Sequence, residues 1–156
     1  MSSNELMLLA TIGSMLAFWA TALVILYQIR HMQTARNVEV TMRMFEWAES
    51  NRMREAIRWV VTQFEIESYV HQPEGERSDY PGLVIAFFEQ AGIMVQNRLI
   101  NEDVVVDNLA ASAIRTWERL KPWIEHERRQ HQDERFGEHF EFLYRRSLVY
   151  EERHRN

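Results

Sequence analysis

Cysteine is absent from the 156 residues, which excludes disulfides, thiolate zinc sites, iron–sulfur clusters and cysteine nucleophiles. Lysine is almost absent, Lys121 being the single one among 18 basic residues. The five glycines are scattered, so no glycine-rich loop exists to cradle a phosphate. No GxSxG elbow is present, and Ser112 lies among alanines in a helical pattern. No polar–apolar alternation lasts long enough for a sheet. The short "EDVVVD" follows Asn101 and reads as a capped, acidic helix start instead. It also lacks the spaced acidic ligands and central glycine of a calcium loop. A formal charge of −5 argues against sequence-independent nucleic-acid binding, which needs a basic surface to displace counterions.

What is present divides sharply. Residues 1–29 hold one charged side chain, Glu5. Residues 30–156 hold all 18 basic and 22 of the 23 acidic residues, a formal charge of −4. From Leu6 to Ile29 the chain runs 24 residues without a charge. At 1.5 Å per residue such a helix reaches about 36 Å, enough to cross a hydrocarbon layer of about 30 Å. The run is long for a signal peptide and has no basic n-region before it. It is expected to be a retained transmembrane helix.

Arg30, Arg36 and Arg43 follow the segment, which predicts an N-terminus outside and the remaining chain inside. These arginines also suit anionic lipid headgroups. Within the segment Ala10, Gly13, Ser14, Ala17 and Thr21 recur at three- and four-residue spacing. Such a ridge of small residues lets a second helix approach closely. The partners expected are therefore membrane lipid and either a second copy or another membrane protein. No glycine or proline interrupts the chain between Ile29 and Glu49, so the membrane helix is expected to run on into the first cytoplasmic helix.

The remainder reads as all-α: an irregular cytoplasmic bundle of five to six helices following the transmembrane helix. The boundaries expected are a short extracytoplasmic tail over 1–5, the span over 6–29 and the cytoplasmic domain over 30–156. Val38, Met42, Phe45 and Ala48 mark a buried side on the first cytoplasmic helix. A second helix, capped by Ser50 or Asn51, carries Met53, Ile57, Val60 and Phe64 and runs to about Tyr69. The loop "HQPEGERSDYPG" then leads through Asp79 and Pro81 into a third helix. A fourth is expected over Glu102–Leu120, ended by Pro122. A last helical stretch places Phe136, Phe140, Leu143 and Tyr144 inward, with a break near Gln132.

Candidate chemistry is sparse. "HERRQH" resembles the HExxH zinc signature with one residue too many, so His126 and His131 sit on different sides of a helix. His139 and His154 form no ligand set with them, and a di-iron bundle needs two ExxH pairs where this chain has one. No catalytic residue, metal site or cofactor is therefore assigned. Glu89 is the residue of interest, set between "LVIAFF" and "QAGIMV". It reads either as part of a water-facing stripe with Ala86, Gln90, Gln96 and Asn97 or as a buried carboxylate needing a partner. Arg115 and Arg128 are the candidate partners.

The elements "FFEQAGIMVQNRLINEDVVVD" and "TWERLKPWIEHERR" after a membrane span resemble a bacterial family of small membrane-anchored helical proteins known only as a domain of unknown function. The matching residues are Phe88, Glu89, Gly92, Asn101, Asp103, Trp117, Leu120, Pro122, Ile124 and Arg128. The resemblance implies a bacterial inner-membrane protein and a role for Glu89 and Arg128, and it brings no activity with it. The reading that follows is a membrane-anchored interaction module. The alternatives are an enzyme with an unfamiliar site around Glu89 and, further off, a pore-forming effector.

Overall fold

The structure is a computed structural model that describes residues 3–154, without the side chains of residues 3–6, 8–10 and 29–37. The side chains of Ala10, Arg30 and Arg36 therefore lie outside the described residues. All regular structure described is helical: α1 (Ser3–Glu49), α2 (Asn51–Gln63), α3 (Ile66–His71), a 3-10 turn over Glu74–Glu76, α4 (Tyr80–Gln96), α5 (Glu102–His131) and α6 (Glu138–His154). The chain divides into two compact units, Met1–Glu39 and Val40–Asn156.

The first unit is a single helix. Its window Thr11–Gln28, with a mean hydropathy of 1.5, is long and apolar enough to cross a membrane, and none of it is buried. Phe18, Trp19, Leu23 and Leu26 all stand exposed. The serine and threonine hydroxyls in this window turn back onto their own helix. Thr11 donates to the Met7 carbonyl, Ser14 to that of Thr11 and Thr21 to that of Ala17, at 2.8–2.9 Å.

The second unit is the bundle. Its core draws on the last turns of α1 and on α2, α4, α5 and α6, with Phe87, Phe88, Phe140, Met53, Leu120, Ile124 and Leu143 fully buried. The side that α1 buries overlaps only in part with the one its spacing points to: Phe45 and Ala48 pack against the core as expected. Val38 and Met42 are 51% and 61% exposed, while Met44 is 6% exposed and packs with Val40 and Trp47. The segment carries two apolar stripes, and two residues along a helix is a turn of about 200°. Periodicity alone cannot rank such opposed stripes.

Two expected boundaries also move. Ser50 caps α2 as expected, its Oγ accepting the Met53 N–H. The helix stops at Phe64, which turns extended (φ −69°, ψ 123°) and donates its N–H to the Trp59 carbonyl. The turn folds Phe64 inward against Trp59, Tyr69 and Trp123, at ring separations of 6.3, 5.3 and 6.3 Å. Aromatic packing outweighs helix continuation there. Pro122, in contrast, fails to end α5, which runs on to His131. A proline ring removes the hydrogen bond to the carbonyl four residues earlier, that of Glu118. Both residues are exposed, so the freed carbonyl lies on a solvent-facing side of the helix.

Asp79 stands at the start of α4, yet its side chain makes no capping bond. Ser78 Oγ accepts the Tyr80 N–H, and the Asp79 carboxylate instead pairs with Arg52 of α2. The break near Gln132 is present. Gln132 adopts the left-handed conformation (φ 52°) that closes α5. Gly137 (φ 75°) then turns the chain into α6 with Ile124 packed beneath it.

Among the described residues, one buried side-chain atom is unsatisfied. Ser147 Oγ on α6 is buried without a hydrogen-bond partner, an arrangement that costs about 1–3 kcal/mol. Replacing Ser147 with Ala should leave the thermal midpoint of the full-length protein unchanged or raise it. A drop equivalent to more than about 1 kcal/mol would mean that the hydroxyl has a partner after all.

Candidate functional site

Helix α4 is apolar over most of its surface, burying Val84, Ile85, Phe87, Phe88, Ala91 and Val95. Glu89 sits at the edge of that buried face and is half-buried. The partner of its carboxylate is a main-chain surface. Oε2 accepts the Phe140 N–H at 2.9 Å and Oε1 the His139 N–H at 3.3 Å. Both belong to the first turn of α6, where the N–H groups have no acceptor within their own helix. The carboxylate of one helix thus caps another across 50 residues of sequence. Its negative charge also complements the positive end of the α6 dipole.

The surroundings explain why the carboxylate reaches. Gly92 lies one turn along α4 on the same face, and a Cβ there would come within 2.1 Å of the His139 carbonyl oxygen. Only glycine permits so close an approach of the α4 backbone to the end of α6. Gln96, one turn further, accepts from the His139 ring, Nδ1 to Oε1 being 2.7 Å. Phe88 stacks on Phe140 with centroids 4.7 Å apart, and Trp117 meets the edge of the same ring at 5.1 Å.

Arg128 fastens the other side of this junction. Its Nε donates to the Phe136 carbonyl at 2.8 Å and its second amine to Glu141 at 3.1 Å. Glu141 is also held by Arg145. Burial pushes the Glu141 carboxyl up, but the bonds from Arg145 and Arg128 outweigh it and hold the group below the usual carboxylate range.

The sequence-level candidates separate accordingly. Glu89 and Arg128 meet at the same junction without touching each other, each binding the start of α6. Arg115 is elsewhere, exposed and donating to the Ala111 carbonyl of its own helix. Of the stripe grouped with Glu89, Ala86, Gln90, Gln96 and Asn97 are exposed and only Glu89 turns to the bundle. Gly13, Ser14, Ala17 and Thr21 stand exposed on the first unit, with open space around Gly13. Arg43 is exposed at the start of the second unit.

Among the described residues, no three His, Asp or Glu side chains lie close enough to hold a metal ion. A cleft of about 450 Å³ opens beside the junction, lined by Glu89, Trp123, Glu127, Asp133, Arg135 and Phe136. Glu127 is already bonded by the Trp123 indole N–H at 2.9 Å. With both Glu89 oxygens accepting main-chain N–H groups, the arrangement is a clamp between helices.

Sequence reasoning missed several ties. Arg119 of α5 donates to the Val61 carbonyl near the end of α2, Arg146 of α6 pairs with Glu102, and Tyr150 donates to Asp107. The Asp107 bond raises the Tyr150 phenol above its ordinary value. These pairs lie 43–58 residues apart, and no sequence spacing announces them. Pairs four residues apart on one helix do carry such a signal, as Lys121–Glu125, Glu127–His131 and Glu141–Arg145 show.

A family model described as Domain of unknown function (DUF4760) matches residues 12–147. No curated protein matches the chain, and no solved structure does.

Two measurements test the junction. Replacing Glu89 with Ala leaves two helix-end donors without their acceptor and should destabilise the protein by about 1–3 kcal/mol. Gln in its place should lose less, since it keeps one acceptor oxygen. Equal melting of all three proteins would remove the cap from the account. Because the folded Glu141 carboxyl titrates below its ordinary value of 4.5, its contribution is complete above that pH and drains away as the pH falls further. The Glu141→Gln protein should accordingly show a shallower acid-side loss of stability than the parent, and parallel curves would contradict the assignment.

Proposed function

The chain belongs to the DUF4760 family, and from that premise we propose that it is a membrane-anchored helical module, docking a membrane protein or a second copy of itself at the cytoplasmic face. The observation that carries the reading is an uncovered apolar window, Thr11–Gln28, in a chain whose bundle has a core of its own. A helix with so much apolar surface needs an apolar solvent or a partner. The inward-turned hydroxyls support the bilayer, where every polar group must be satisfied within the segment. They leave a pore little to be lined with. The family match covers residues 12–147, which takes in all but the first residue of the apolar window together with most of the bundle.

Orientation follows from charge. Arg30, Arg36 and Arg43 trail the window and favour the cytoplasmic side. The setting is a bacterial inner membrane, as the resemblance implies. The ridge of Gly13, Ala17 and Thr21, with nothing within 4 Å of Gly13, supports close packing of a second helix. The charged groups of the α4–α6 junction are engaged in holding the bundle together, which favours a binding role over a catalytic one at Glu89.

The absence of cysteine allows a clean topology test. A single cysteine at Ser2 should react with a membrane-impermeant maleimide on intact cells, and one at Asn156 only after lysis. The reverse pattern would invert the orientation, and labelling of both on soluble protein would dispose of the anchor. For the partner, full-length protein purified at native expression in mild detergent should carry a second copy or a membrane protein, and Gly13→Leu should release it. A monomer with no companion in both proteins would end the docking proposal.

A further inference from the structure

A cavity of about 260 Å³ lies between α5 and α6, wholly within the second unit. Lys121, Glu125 and Arg128 reach it from α5, four and three residues apart and so on one face of that helix. Glu141 and Arg145 reach it from α6, one turn apart. The apolar lining is Trp117, Ile124 and Tyr144. Trp117 and Ile124 are buried, and Trp117 stacks on Tyr144 with centroids 5.6 Å apart. Such a wall holds the shape of the cavity and lowers the dielectric beside its charges, which strengthens their action.

Three cations thus meet two carboxylates. Glu141 is satisfied from both sides, by Arg128 at 3.1 Å and by Arg145 at 2.6 Å. Glu125 lies 3.8 Å from the Lys121 ammonium, beyond hydrogen-bond length. These pairs leave donors over. Arg128 uses Nε on the Phe136 carbonyl and Nη2 on Glu141, and Arg145 uses Nη2 alone. Among the described residues, no acceptor is bonded by Arg128 Nη1, by Arg145 Nε or Nη1, or by the Lys121 ammonium. The surplus points to one ligand chemistry. A positive excess selects an anion, and donors from three residues need acceptor oxygens in several directions. A tetrahedral phosphate presents them, whereas a carboxylate offers two oxygens in one plane. The volume falls just below the about 300–1,000 Å³ of small-molecule sites, so a phosphate with a small substituent fits and a nucleotide does not.

We propose that the α5–α6 cavity binds the phosphate group of a small phosphorylated solute, with Lys121, Arg128 and Arg145 as its donors. The inference is independent of the membrane anchor. Because Arg128 and Glu141 also fasten the start of α6, an occupied cavity ties α5 to α6 more firmly.

Calorimetric titration of the full-length protein in a neutral mild detergent, at constant ionic strength, tests this with inorganic phosphate and methyl phosphate as probes. Saturable one-to-one binding of at least one probe is expected, with acetate failing to compete and the thermal midpoint rising as the site fills. Methyl phosphate binding at least as tightly as phosphate supports a phosphomonoester, and its exclusion supports the free anion. Lys121→Gln and Arg145→Gln alter exposed side chains, so the unliganded proteins should melt as the parent does. Each should weaken binding about tenfold, the loss of one charged hydrogen bond. Arg58→Gln, on α2 and equally exposed, should leave binding unchanged. No saturable binding of either probe up to about 10 mM would overturn the proposal. So would equal competition by acetate, no weakening in the Lys121 and Arg145 variants, or the same weakening in all three.

Discussion

The bundle turns on one half-buried contact between a side chain and a helix end. Helix α6 begins after a tight turn, and its first N–H groups point into α4 instead of into water. Left there unpaired they would cost the protein about 1–3 kcal/mol. The Glu89 carboxylate removes that cost with two hydrogen bonds. Gly92 makes the approach possible, and the Phe88–Phe140 stack packs beside it. Arg128 holds the turn from the opposite side. A polar contact of this kind fixes the register of α6 on α4 in a way that apolar packing alone would not.

Around that point the core is built from aromatic rings. One group joins Trp59, Phe64, Tyr69, Trp123 and Phe136 beneath the α2–α3 break. Another joins Trp47, Phe87, Phe88, Phe140, Trp117 and Tyr144 across α1, α4, α5 and α6. Edge-to-face and stacked pairs have narrow preferred geometries. They therefore place helices that are joined by short or irregular connections.

The all-helical class, the apolar window, the Ser50 and Asn101 caps and the inward face of α6 were legible because each is a local pattern. Asn101 indeed accepts the Asp103 N–H at 2.8 Å. What stayed hidden is non-local. Glu89 reads as ambiguous because its partners are main-chain donors 50 and 51 residues away, and backbone groups leave no mark in a sequence. The residues carrying the family resemblance had no visible reason to occur together. In the structure, Phe88, Glu89, Gly92, Trp117, Ile124 and Arg128 gather where α4 and α5 meet the start of α6. Pro122 misled for the opposite reason, since its local rule is sound but the lost bond falls on an exposed face.

The distance in sequence between Glu89 and its partners also orders events in time. During synthesis α4 emerges with its Phe88–Gly92 face bare, and that face stays bare until Phe140 has been added. At ribosomal rates of about 5–20 residues per second, 51 residues take on the order of 3–10 s. Through that interval the nascent chain displays an aromatic surface beside an unpaired carboxylate, with its α6 partner still missing. Any product that stops short of residue 140 keeps the surface permanently, so the closing helix separates finished chains from truncated ones.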